Sequence, residues 1–336
     1  MSNDSWAKTD VPSIDDVLGA RERLAGRIRK TPLVPSPSLS ATANAPVFLK
    51  LEQLQTTGSF KLRGATNAIL SLSPAERDRG IVGVSTGNHG RGLAHAAKEA
   101  GARCIICMSS LVPQNKVEGI QALGAEVRII GQSQDDAQLE VDRLVAEEGM
   151  VMLPPFDNPG VIAGQGTLGL EVLEDLPEIE TLVVPLSGGG LIAGVALAAK
   201  ALKPALRVIG VTMNRGPAMV ESLKAGKPVP VKELPSLADA LGGGIGLDNR
   251  YTFPMVRNLV DECLLVSETQ IAQAIRHAYW EEKLVIEGSG AVGISAILSQ
   301  QLEVSGVIAL ILSGCNIDMA LHQRIIAGED VDVTSG

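Results

Sequence analysis

The stretch Thr181-Leu182-Val183-Val184-Pro185-Leu186-Ser187-Gly188-Gly189-Gly190-Leu191 runs from a continuously apolar strand, through a serine and three glycines, into a helical pattern that continues to Leu202. A strand without polar alternation is covered on both faces, as in a parallel sheet flanked by helices. Glycines at a strand-to-helix junction expose backbone N–H groups, and the helix dipole there favours an anion. Two readings of the triple glycine stand side by side, a tight turn and a phosphate cradle. Its spacing is not the GxGxxG of a dinucleotide fingerprint, and it lies past mid-chain.

The same unit recurs on either side. Val47 to Leu51 is strand-like and Phe60 to Leu72 helical; Ile81 to Ser85 is a strand and Gly90 to Ala100 a helix. Cys104 to Met108 precedes a helix from Gln114 to Leu123, and Val127 to Ile130 one from Ala137 to Glu148. Val208 to Val211 precedes Ala218 to Lys224, and Val307 to Leu312 closes the series. The expected class is α/β with mostly parallel sheets. A first helix is predicted from Ser13, with Asp16 completing a capping box, broken by Thr31-Pro32-Leu33. The basic run Arg21 to Lys30 reads as its solvated face.

Composition narrows the function. With 336 residues, 45% hydrophobic and 20% charged, the chain is an ordinary globular protein. Aromatics are only 2% against 36 glycines, so small aliphatic residues must fill the core. A net charge of −9 without a Lys/Arg block argues against nucleic acid as a partner. No signal peptide or membrane-spanning run is seen, so no membrane partner is expected and the compartment reads as cytoplasmic. Cys104 and Cys107 have CxxC spacing, but within a buried strand their side chains point to opposite faces. They read as core thiols.

Ligands of open parallel sheets bind beyond the carboxyl ends of the strands. Three loops of unusual composition fall there: Ser85-Thr86-Gly87-Asn88-His89, Ser187 to Leu191, and Ser313-Gly314-Cys315-Asn316. A fourth segment, Gly58-Ser59-Phe60-Lys61, opens a helix. A lysine near a helix start is ordinarily a solvated cation. Lys61, however, lies between Phe60 and Leu62, at the positive end of a helix dipole. Burial and dipole would both favour its neutral amine, the form that Schiff-base chemistry needs.

Lys50-x-Glu52-x-x-Gln55-x-x-Gly58-Ser59-Phe60-Lys61-x-Arg63-Gly64-Ala65, Ser85-x-Gly87-Asn88-His89, Ser187-Gly-Gly-Gly-Leu191 and Ser313-Gly-x-Asn316 occur in one order. In that order and spacing, from about residue 30 to 318, the chain resembles the threonine/serine dehydratase branch of the fold-type II (tryptophan-synthase-β-like) pyridoxal-phosphate enzymes. Within that branch, Gly243 to Phe253 and Thr212 to Gly216 resemble the hydroxyectoine-utilisation dehydratases.

The resemblance implies two open twisted, mostly parallel sheets with the active site between a large and a small domain. Residues 1–52 and 158–330 would form the large domain, 80–157 the small one. Residues 53–79 would link them and carry Lys61, and 331–336 would be a frayed tail. It implies pyridoxal 5′-phosphate as cofactor, bound as a Schiff base to Lys61, whose freed amine then acts as the base. Phe60, Asn88 (at the 3′-oxygen), Ser187, Gly188, Gly189, Gly190 and Leu191 (at the phosphate), Glu287 (at the ring edge, with a structural role as the alternative) and Ser313 (at the pyridine nitrogen) would hold the cofactor. Ser85, Thr86, Gly87, Asn88 and His89 would receive the substrate carboxylate, with a packing role at the helix start as the alternative for His89.

The implied reaction is β-elimination from a β-hydroxy amino acid such as L-threonine or L-serine by a homodimer, giving a 2-keto acid and ammonia. A hydroxyectoine-derived substrate, 3-hydroxyaspartate, racemisation assisted by Thr86, and a binding protein without turnover are the competing readings. Relatives of the serine-racemase type hold a divalent cation on carboxylates around Thr212 to Ala218. None occurs there, so no metal site is expected. Only 18 residues follow Asp318, so no C-terminal regulatory domain is expected either.

Overall fold

The computed structural model describes residues 11–85, 87–112, 114–303 and 306–331. Among these residues, ten strands form two sheets. The larger has the order β1(Leu33–Pro35)-β2(Val47–Lys50)-β10(Ile308–Ile311)-β7(Thr181–Pro185)-β8(Arg207–Met213)-β9(Glu262–Val266). The smaller has the order β5(Glu126–Ile129)-β4(Cys104–Met108)-β3(Ile81–Val84)-β6(Val151–Met152). The chain therefore leaves the large sheet after β2, builds the small one from β3 to β6, and returns at β7. Every pairing is parallel except β1 with β2, where Leu33 faces Lys50. Residues 36–46 are too short a connection for a parallel crossover, which takes about a dozen residues or more.

Continuous apolarity has the expected cause. On β10, Ile308 and Leu310 enter one core while Ala309 and Ile311 enter the other. On β4, Cys104, Ile106 and Met108 face one core and Ile105 and Cys107 another, so the CxxC thiols are free and lie on opposite sides.

Ser13 caps the helix Ile14–Leu24 in a capping box with Asp16. The helix stops well before Thr31, at Gly26, whose φ of +72° ends it at little steric cost. Of the basic run, only Arg21 and Arg23 lie on the helix. Lys30 sits beyond it, in an ion pair with Asp175 at 2.6 Å.

The helix Pro159–Asp175 escapes the periodicity reading because glycine lowers helix propensity and blurs the apolar stripe. Its glycines allow helices to touch. A Cβ on Gly164 would lie 2.7 Å from the Arg63 carbonyl oxygen, and one on Gly194, on the helix packed against it, 2.2 Å from the Ile162 carbonyl oxygen. Among the described residues, no helix is long and apolar enough to cross a membrane, and no group of three His, Cys, Asp or Glu side chains is placed to hold a metal ion.

Candidate active site

The carboxyl ends of β7 and β10 open toward the loop after β3. One cavity there is lined by Phe60, Lys61, Asn88, Ser187, Gly188, Gly189, Gly190, Leu191, Glu287 and Ser313, with Phe156, Leu241 and Ser289 among its other walls. A wider outer chamber is bordered by Ser85, Gly87, Asn88 and His89 on one side and by Lys116, Asp239 and Gly242 to Gly244 on the other. Thr86 lies outside the described residues.

Lys61 is the first residue of the helix Lys61–Ser71, and Phe60 is its N-cap. The Phe60 amide donates to the Ser313 carbonyl at 3.0 Å, fastening the helix start to the loop after β10. Gly58 has a φ of +76°, and a Cβ there would lie 2.7 Å from Asn316 Oδ1. The Lys61 ammonium donates to the Pro155 carbonyl at 2.8 Å. Desolvation brings its pKa down to about 8, against the opposing charge of Glu287.

The glycine run begins the helix Gly190–Leu202, and Gly189 caps it at a φ of +91°. Added Cβ atoms would lie 2.3 Å from the Phe156 ring at Gly188 and 2.9 Å from the Phe156 Cα at Gly190. The first-turn amides have no partner within the helix and lie at the positive end of its dipole, which makes a cradle for a phosphate.

Asn88 opens the helix Asn88–Glu99. Its Nδ2 donates to Glu287 Oε1 at 2.6 Å, and its Oδ1 accepts from Asn316 Nδ2 at 2.5 Å. The Asn316 amide donates to Glu287 Oε2 at 2.9 Å, and Asn316 Nδ2 also reaches the Thr57 carbonyl at 2.9 Å. Burial, and then the charge of Asp239, push the Glu287 carboxyl up to about 7, with Asn88 and Asn316 opposing.

Two members of the predicted substrate loop are engaged with protein. His89 Nε2 hydrogen-bonds the Leu153 carbonyl at 2.9 Å, and burial, with the Lys61 charge second, lowers its pKa to about 3. The neutral ring therefore donates to the Leu153 carbonyl. Ser85 Oγ accepts from the Gly90 amide at 3.0 Å and so caps the following helix. What this loop offers a carboxylate is the amide-rich start of a helix.

Asn316 was legible as a motif residue but had no assigned role. Pro155 and Phe156, which hold the amine and wall the phosphate loop, lie in no motif; an aromatic in a chain with few of them was the one signal.

The cavity suits pyridoxal phosphate. It combines an amine, a glycine cradle and two buried hydroxyls: Ser313 Oγ reaches only the Ser289 carbonyl at 3.5 Å, and Ser289 Oγ has no hydrogen-bond partner among the described residues.

Residues 24–314 match the family model described as "Pyridoxal-phosphate dependent enzyme". A protein of Sinorhizobium fredii, provisionally named a threonine dehydratase, is 58% identical over 94% of this chain and 96% of its own. The L-threonine ammonia-lyase of Thermotoga maritima is 42% identical over 94% of this chain and 78% of its own. The solved structure of maize serine racemase superposes with a TM-score of 0.89 at 35% identity, covering 94% of this chain and 97% of that one.

Proposed function

This chain belongs to the pyridoxal-phosphate dependent enzyme family, and on that premise we propose that it catalyses β-elimination from a β-hydroxy amino acid of the threonine or serine type, giving a 2-keto acid and ammonia. Pyridoxal phosphate, when bound, supplies an electron sink that makes the α-proton of an attached amino acid acidic. The chain's own residues do the rest. Lys61 would hold the cofactor and, once released, take the α-proton on its Nζ. Gly188 to Leu191, with Ser187, would bind the phosphate, and Phe60 and Phe156 would keep water from the ring. Asn88, oriented by Glu287 and Asn316, would donate to the 3′-oxygen. Ser313, a neutral hydroxyl, would face the pyridine nitrogen without protonating it, which favours prompt loss of the β-hydroxyl over a long-lived carbanion. The amides around Gly87, Asn88 and His89 would bind the substrate carboxylate.

The observation that carries this reading is Lys61, an amine with a pKa of about 8 facing the glycine cradle in one cavity. The test is incubation of the purified protein with L-threonine, L-serine and 3-hydroxyaspartate. A keto acid should form from at least one, and Lys61→Ala should lose both turnover and the visible absorption of the bound cofactor. A wild-type protein that takes up no pyridoxal phosphate would sink the reading.

A longer substrate, of the kind derived from hydroxyectoine, is the second reading. It is favoured by the space beside Gly243 and Gly244, where a Cβ would meet nothing within 4 Å. It predicts feeble threonine turnover. We read residues 80–157 as the small domain and the chain as a cytoplasmic homodimer. Free, buried Cys104 and Cys107 support the compartment, and exposed Trp280 and Met319, on two packed helices, support a second copy. Sedimentation measures the latter.

A further inference from the structure

Behind Lys61, on the side away from the cavity, the fold buries charge that the reaction does not use. Arg63 is wholly buried, as are Lys50 and Glu52. All five guanidinium N–H groups are directed at acceptors. Nε and Nη2 each reach Glu52 at 2.8 Å. Nη1 and Nη2 reach Glu171 at 2.6 and 2.9 Å, and Nη1 also reaches Thr167 Oγ1 at 3.2 Å. Lys50 Nζ shares Glu171 Oε2 at 2.7 Å and donates to the Thr31 carbonyl at 2.7 Å. Thr31 Oγ1 donates to Glu52 Oε1 at 2.5 Å. Two cations thus meet two carboxylates held by four elements: β2, which carries Lys50, the segment after it, the lysine helix and the helix Pro159–Asp175.

A cluster of this kind is weak evidence for stability, because desolvation offsets most of the Coulomb attraction. Its geometry is specific. Residues two apart on a helix point about 200° apart, so Lys61 and Arg63 project to opposite sides of one turn. Along its length that helix packs through small residues, Gly64 against Gly164 and Gly92 against the Lys61 carbonyl. Its further polar ties are single bonds, from the Phe60 amide to the Ser313 carbonyl at its start and at Asn67, whose Nδ2 donates to the Gly160 carbonyl at 2.7 Å and whose Oδ1 accepts from Arg23 Nε at 2.8 Å. Small-residue contacts permit sliding and rotation. A planar fork bound to two carboxylates on different elements does not.

We propose that Arg63, through its double fork to Glu52 and Glu171, is a positioning residue that fixes the rotation and height of the lysine helix and thereby aims Lys61 at the reacting carbon. This rests on the reading of Lys61 given above. A one-residue slip moves a side chain by about 1.5 Å and 100°, and misplacement of about 1 Å can cost a hundredfold in rate.

The test compares holoenzymes of wild type, Arg63→Lys, and the double variant Arg63→Met/Glu52→Leu, which leaves the Lys50–Glu171 pair matched. Melting temperature, kcat, KM and the pH at which the chromophore titrates are measured. Positioning predicts a folded double variant with kcat down at least about tenfold, KM within about twofold, and a chromophore midpoint displaced upward as water reaches the amine. Arg63→Lys, which keeps the charge and loses the fork, should show the same displacement. If the double variant does not fold, Arg63→Lys is read alone. A wild-type kcat and titration in the folded variants overturns the proposal, whatever happens to the melting temperature. A chromophore that survives Lys61→Ala overturns the reading of Lys61 instead, so the two failures are distinguishable.

Discussion

The Lys61 amine is held by the carbonyl of Pro155, 94 positions along the chain, at 2.8 Å. The contact ties the lysine helix to the segment joining the two sheets. A carbonyl can only accept, so it positions the amine without taking its proton. Base catalysis needs the neutral amine, and turnover at saturating substrate should therefore fall as pH drops below about 8, the value to which burial brings this lysine. A pH–kcat profile flat from pH 6 to 9 would rule Lys61 out as the base.

Glu287 carries the opposite sign. Its carboxyl is raised from 4.5 to about 7 by burial, so the folded state holds a proton that the unfolded chain has released. Stability should decline as pH rises through that window, and the loss should be complete above pH 7. Glu287→Gln removes the titration but also one acceptor, for Asn88 or Asn316. Relative to wild type it should gain about 2–3 kcal/mol between pH 5 and 8, measured by urea denaturation of the apoprotein. A pH-independent difference would refute the assignment.

Gly188 and Gly190 are both crowded by Phe156, in different ways. At Gly188 the obstacle is the ring; at Gly190 it is the Phe156 Cα. Gly190→Ala should cost about 1–3 kcal/mol and much of the cofactor affinity, since backbone must shift. Gly188→Ala should be partly rescued by Phe156→Ala, and equilibrium dialysis of pyridoxal phosphate reads both. Absence of rescue would mean that the ring is not the obstacle.

Asn316 closes the Asn88–Glu287 triangle. Asn316→Ala leaves Asn88 Oδ1 without that donor, which typically costs about 1–3 kcal/mol for a buried group. The expected result is a changed cofactor spectrum and kcat lowered about tenfold or more, with cofactor still bound. An unchanged spectrum would show that Asn88 keeps its orientation unaided.

The Cys104 and Cys107 thiols are pushed by burial up to about 12 and about 11. Neither should react with a thiol reagent in the native state at pH 8, and both should react in guanidinium. Rapid native labelling at either position would contradict their place in the core.

The class of fold was legible in the sequence, because uninterrupted apolar strands followed by helical periodicity have few ways to be buried. The sequence also singled out Lys61, Asn88, the Ser187 to Leu191 run and Ser313, each in a local pattern, and the fold brings them around one cavity. Local signals could place the Ser13 cap, because a cap depends on neighbours three residues away. What those residues touch follows from packing between distant segments. His89 turns to the Leu153 carbonyl, Pro155 holds the lysine, and β1 runs antiparallel. The helix Pro159–Asp175 is helical despite its glycines because its neighbours approach too closely for a side chain. Arg63 reads in sequence as one charge in a motif. Its two carboxylates come from elements that lie 11 and 108 residues away, and that meeting is set by packing, which no local periodicity encodes.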